Sequence, residues 1–96
     1  MKVRWTQNAL AHLDNIYEYI AVNSTTYARR MVDKITTRST RIADFPYSGR
    51  EVPEYEAPDI RELIEYPYRI IYRIKTDQID VLAIIHGARQ FPDDIE

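Results

Sequence analysis

Three arginines and one histidine carry the chemistry this chain can offer: Arg61, Arg69, Arg89 and His86. A guanidinium grips planar oxyanions through paired N–H donors, and arginine outnumbers lysine here by ten to three. If Arg69 stands in the middle strand of a sheet, Arg61 and Arg89 on or beside neighbouring strands come within its reach, because adjacent strands lie about 5 Å apart. The three would then converge on one surface suited to a phosphate, a nucleic-acid backbone or a carboxylate-rich protein patch. The competing reading pairs each arginine with a nearby acid, such as Glu62, Glu65 or Asp80, and makes it a tie along the sheet edge. His86 follows an apolar strand and precedes Gly87 and Arg89. An imidazole at such a strand end exchanges a proton near neutral pH, or simply hydrogen-bonds backbone where the strand stops. His12 lies at the edge of an apolar helical stripe and reads as a packed or surface residue.

What is missing narrows the field further. With no cysteine, a disulfide scaffold, a zinc ribbon and a thiol nucleophile are all excluded. There is no phosphate-cradling glycine loop, no histidine pair at metal spacing and no serine in a nucleophile elbow. Neither a metal nor a small-molecule cofactor is expected. The 96 residues suffice for one domain, residues 1–96, and the formal charge of −2 is a poor start for a general nucleic-acid binder. No apolar run approaches the ~18 residues of a membrane span, and Met1 to Trp5 lacks an apolar signal region. A cytoplasmic protein is the expectation.

The elements that must position these side chains are legible in outline. Lys2 to Trp5 alternates charge with apolar bulk, as a short strand does, and Thr6 is placed to cap a helix. Leu10, Leu13, Ile16, Tyr17 and Ile20 predict that helix from about Gln7 to Val22. The polar cluster Asn23 to Thr26 caps a second one, with Ala28, Met31, Val32, Ile35 and Ile42 on its apolar side and a stop before Pro46. The short connection makes the two an antiparallel hairpin. Arg30, Lys34, Arg38 and Arg41 line the opposite side of the second helix and read as a solvated face.

From Phe45 to Pro58 three prolines and Gly49 mark an ordered loop with at most a short extended piece. Six acids between Arg50 and Tyr66 face only two arginines there, a local negative pole. Ile60 to Ile64, Tyr68 to Lys75 and Ile79 to His86 then read as three antiparallel strands, divided by Tyr66-Pro67 and by Thr76-Asp77-Gln78. In the middle strand Tyr68, Ile70, Tyr72 and Ile74 point one way, toward the helices, while Arg69, Ile71, Arg73 and Lys75 point the other. The last strand is apolar on both faces, as an interior strand is. The fold class is α+β: a helical hairpin on one face of a small, mostly antiparallel sheet made of the N-terminal strand and the meander.

In this order the pieces Trp5-Thr6, Phe45-Pro46, Gly49-Arg50-Glu51-Val52-Pro53-Glu54, Arg61-Glu62-Leu63, Tyr68-Arg69-Ile70-Ile71-Tyr72-Arg73 and His86-Gly87-Ala88-Arg89 resemble the RelE/ParE family of bacterial toxins over nearly the whole chain. The resemblance implies the toxin of a type II toxin–antitoxin pair, neutralised by a cognate antitoxin that wraps an extended or helical segment around it. It leaves two targets. RelE-like members cut mRNA on the ribosome, so that Arg69, His86 and Arg89 would be catalytic. ParE-like members are not nucleases and poison DNA gyrase, so that Arg61, Arg69 and Arg89 would bind the target.

The basic pair that RelE members carry on the strand before Arg69 is replaced here by Ile60 to Leu63, and their C-terminal tyrosine falls near Ile95. Two proton-handling elements of the nuclease are therefore missing, which favours the ParE-like reading, a plasmid-stabilization type of toxin. The ribosome-dependent endoribonuclease and a non-toxic antitoxin-binding module stand as alternatives.

Overall fold

The structure is a computed structural model that describes residues 1–87. In chain order it contains β1 (Lys2–Trp5), α1 (Gln7–Ala21), α2 (Thr25–Arg41), a 3-10 turn (Pro46–Ser48), β2 (Arg50–Glu51), β3 (Ile60–Glu65), β4 (Tyr68–Ile74) and β5 (Gln78–His86). Both helices start where a hydroxyl can take up a free backbone N–H. The Thr6 Oγ1 accepts from Ala9 at 3.1 Å and the Ser24 Oγ accepts from Tyr27 at 3.1 Å. Thr6 also donates to the Leu82 carbonyl at 3.3 Å, so the α1 cap is anchored to β5. α2 ends at Arg41, earlier than Pro46 alone requires, and the chain turns through residues 42–44 before the 3-10 turn.

The sheet order is β1-β5-β4-β3-β2. β1 runs parallel to β5 in the register Lys2↔Gln78 to Trp5↔Val81, and every other pair is antiparallel. β5 therefore lies inside the sheet, as its two-sided apolar sequence implies. A bulge accounts for part of that pattern: Tyr72 faces Val81 and Ile71 faces Ala83, which leaves Leu82 as the extra residue.

The hairpin covers one face of the sheet. Ala9, Ile16, Met31 and Ile35 pack there on Tyr68, Ile70, Val81 and Ile84, while Ile42 closes the other end over Tyr72, Ile74 and Ile79. The opposite face is not simply the arginine face that strand alternation suggests. Val52, with Tyr55 and Ala57, folds back over Ile60, Ile71, Leu82, Ala83 and Ile85 to make a second small core. The loop after β2 is thus a third layer, and it needs fastening.

Candidate functional site

The fastening is Arg69. Its side chain is only 10% exposed, and it donates from Nε to the Glu62 carboxylate at 2.6 Å and from Nη1 and Nη2 to the two oxygens of Glu54 at 2.8 and 2.9 Å. Arg50 Nε donates to the other Glu62 oxygen at 2.6 Å. Glu62 is wholly buried between two guanidiniums, and Glu54 brings the loop onto the sheet in the bidentate geometry that suits a planar fork. The hydrogen bond from Arg69 holds the Glu54 carboxyl below its ordinary value, and Glu54 in turn raises Arg69. Asp59 pairs with Arg73 at 3.4 Å. Much of the negative pole expected between Arg50 and Tyr66 is therefore neutralised internally.

The expected convergence of Arg61 with Arg69 does not occur. The connection of Tyr66 and Pro67 places Glu65 opposite Tyr68, so Arg61 lies opposite Tyr72 and Ile64 opposite Arg69. Directly opposed residues share a face, which puts Arg61 on the hairpin side and Arg69 on the loop side. Arg61 instead donates to the carbonyls of Pro58 at 2.9 Å and Gly49 at 3.2 Å, and its guanidinium lies 5.1 Å from the Tyr47 ring centroid. Arg69 follows the acid-paired alternative, with Glu62 as one foreseen partner and Glu54 as one the sequence does not announce. Arg89 lies outside the described residues.

His86 occupies the end of β5 opposite Tyr68 and meets that ring edge to face, centroids 5.6 Å apart. It stands at the meeting of two hollows. One, of about 480 Å³, is rimmed by Arg50, Glu54, Tyr66, Arg69 and His86 on the loop side. The other is an open groove of about 880 Å³ between the hairpin and the β4–β5 end of the sheet, lined by Tyr19, Ile20, Tyr27, Met31, Tyr68 and Ile84 among others. Tyr19 and Tyr27 are 77% and 55% exposed, so the groove is aromatic, apolar and open along its length.

His12 forms part of the groove wall. β1 ends opposite Val81, which leaves the far half of β5 without a strand on that side, and His12 Nδ1 accepts the Ile84 N–H there at 3.2 Å. Burial pushes the imidazole below its ordinary value of 6.5, which favours the neutral form that this acceptor needs. It is a packed residue with a structural duty.

The family model for the ParE toxin of the type II toxin–antitoxin system parDE matches residues 3–91. The chain belongs to the ParE toxin family. It is a type II toxin–antitoxin toxin of ParE/RelE kind. The protein Y4kP of Sinorhizobium fredii is 37% identical over 93 residues, covering 95% of this chain and 93% of its own. Toxin RelE2 of Caulobacter vibrioides is 34% identical over 89 residues, covering 92% and 97%. Among solved structures, the chromosomal ParDE system of P. aeruginosa matches with a TM-score of 0.74 at 28% identity, over 90% of this chain and 95% of that one. The YoeB dimer of Staphylococcus aureus shares the fold at a TM-score of 0.62 and 15% identity, with the same coverage. Among the described residues no helix is long and apolar enough to cross a membrane.

Proposed function

We propose that this ParE-family toxin arrests growth by binding DNA gyrase and not by cutting RNA, and that its antitoxin is held in the groove beside the hairpin. The observation that carries the choice of target is the state of Arg69. A nuclease of this fold needs that arginine to stabilise charge developing on a phosphate, yet all three of its donor nitrogens are engaged by Glu54 and Glu62. Arg69 is on this reading a positioning residue that holds the loop, and Arg61 and Arg89 offer the target contacts. Purified toxin should inhibit gyrase supercoiling or trap cleaved DNA, and Arg89→Ala should weaken that effect. Intact supercoiling together with codon-positioned cuts in ribosome-bound message would overturn it.

The groove fits a partner segment because it presents aromatic and aliphatic side chains to solvent without charged residues among its described lining. Truncation of Tyr19 and Tyr27 to alanine should leave the fold intact and weaken antitoxin binding at least tenfold, as loss of buried interface tyrosines does.

One observation favours a second reading. Glu54, Arg69 and His86 rim the same hollow, which is the inventory of a general base, a cation and a general acid. In that chemistry Glu54 would take the proton of a ribose 2′-hydroxyl as its oxygen bonds to phosphorus, and His86 would protonate the departing 5′-oxygen, leaving a cyclic phosphate. Glu54 must first release Arg69. A ribosomal cleavage assay with Glu54→Gln and His86→Ala decides it, and absence of growth arrest on expression without antitoxin would leave only the non-toxic module.

A further inference from the structure

Among the described basic residues two groups contrast, with Lys2, Arg4 and Arg61 outside both. On the sheet side Arg50, Arg69, Arg73 and Lys75 are each ion-paired. On α2 the five cations Arg29, Arg30, Lys34, Arg38 and Arg41 face one acid, Asp33, so the helix carries +4 in a chain whose total is −2. None of the five has an ion-pair partner among the described residues, and Arg38 alone reaches a protein group, the Ile64 carbonyl at 3.2 Å. At 100° per residue, Thr26, Arg30, Lys34, Thr37 and Arg41 fall within one narrow stripe, and all five are exposed. The solvated-face reading of this stripe explains its polarity. It does not explain why a net-acidic protein concentrates uncompensated positive charge on a single helix.

We infer that the outer face of α2 is a binding surface for the phosphate backbone of double-stranded DNA, made by Arg30, Lys34 and Arg41 with Thr26 and Thr37 between them. Arginine, lysine and threonine hydroxyls are the side chains that contact phosphate oxygens. The row from Arg30 to Arg41 is about 16 Å long at 1.5 Å per residue, enough to follow several phosphates of a duplex. The stripe has no apolar residue, so a protein bound there would lack the desolvated centre on which affinity depends. It also has no aromatic ring for stacking bases, which binding of a single strand requires, since Tyr27 turns toward the groove. The inference stands apart from the choice of target above, because it uses neither the groove nor the Arg69 hollow.

The test is fluorescence anisotropy of a labelled random-sequence duplex titrated with the full-length chain in the absence of antitoxin, repeated over a range of salt. Three phosphate contacts give a slope of log K against log salt of about −2.7, and so a loss of about 40-fold between 50 and 200 mM salt. Arg30→Gln, Lys34→Gln and Arg41→Gln should each reduce the slope by about one, and the triple variant should abolish most of the binding while melting like the wild type. A loss of two positive charges placed instead on β1, Lys2→Gln with Arg4→Gln, should leave the slope unchanged. Lack of binding to duplex at about 50 mM salt, equal binding by the triple variant, or tighter binding of a single strand of the same length would each overturn the inference.

Discussion

Removing Arg69 should destabilise this protein far more than removing the exposed half of the same cluster. In Arg69→Ala the Glu62 carboxylate remains wholly buried with only Arg50, itself 64% exposed, to balance it. Breaking a buried pair from one side costs about 3–5 kcal/mol, a large fraction of the stability of a domain this size. At about 4–8 °C per kcal/mol the melting temperature should fall by roughly 12–40 °C. Glu54→Gln removes a partner that is 41% exposed and keeps one acceptor oxygen, so it should cost about 1 kcal/mol or less. Urea unfolding followed by circular dichroism gives both numbers under identical conditions. The double variant Glu62→Leu/Arg69→Met, which leaves no buried charge, should recover most of the loss. The reasoning fails if Arg69→Ala costs no more than Glu54→Gln, or if the double variant is no more stable than Arg69→Ala. A consequence for functional work is that loss of toxicity in an Arg69 variant must be read beside its melting curve.

Other outcomes follow from individual contacts. Stability should fall as pH drops below about 6.5, because His12 binds its proton less readily folded than unfolded, so the unfolded chain gains protons first. His12→Gln, which keeps an acceptor for the Ile84 N–H, should flatten that part of a Tm–pH profile. Gly49→Ala should destabilise by about 1–3 kcal/mol in urea titrations, since a Cβ there would meet the Tyr72 hydroxyl and the Glu62 carbonyl oxygen. Tyr72 anchors that turn by donating to the Pro46 carbonyl at 2.7 Å and accepting from the Gly49 N–H at 3.1 Å. Thr6→Val should cost about 1–2 kcal/mol through loss of the α1 cap.

Much of the architecture is legible in the sequence because local rules govern it. The helical hairpin follows from apolar spacing and from Thr6 and Ser24, and the meander from β-branched runs broken at Tyr66-Pro67 and Thr76-Asp77-Gln78. The site is legible only in part. Arg61 and Arg69 look like a pair when considered by strand, yet a two-residue connection fixes Glu65 opposite Tyr68 and hence places them on opposite faces. That parity was available from the turn length. The Glu54–Arg69 contact was not, because it depends on how residues 52–57 fold back over Leu82 and Ala83, a packing decision made by non-local apolar contacts. β2 is two residues long and carries no pattern of its own. His12 illustrates a third kind of gap: its partner is a backbone N–H exposed only because β1 stops at Trp5.

The position of β5 between β1 and β4 bears on how the chain reaches this state. The first strand has its neighbour in the last described one, more than seventy residues away, and α1 rests on that same late strand. Nothing made before Gln78 can close the sheet, so the part of the apolar side of α1 that rests on Val81 and Ile84 stays uncovered until β5 inserts. Pairings of such long sequence separation fold slowly and expose apolar surface meanwhile. A chain cut ahead of Gln78 would leave β1 without a neighbour and α1 without a floor, so the unit of folding here is the whole described chain and not the hairpin or the meander alone.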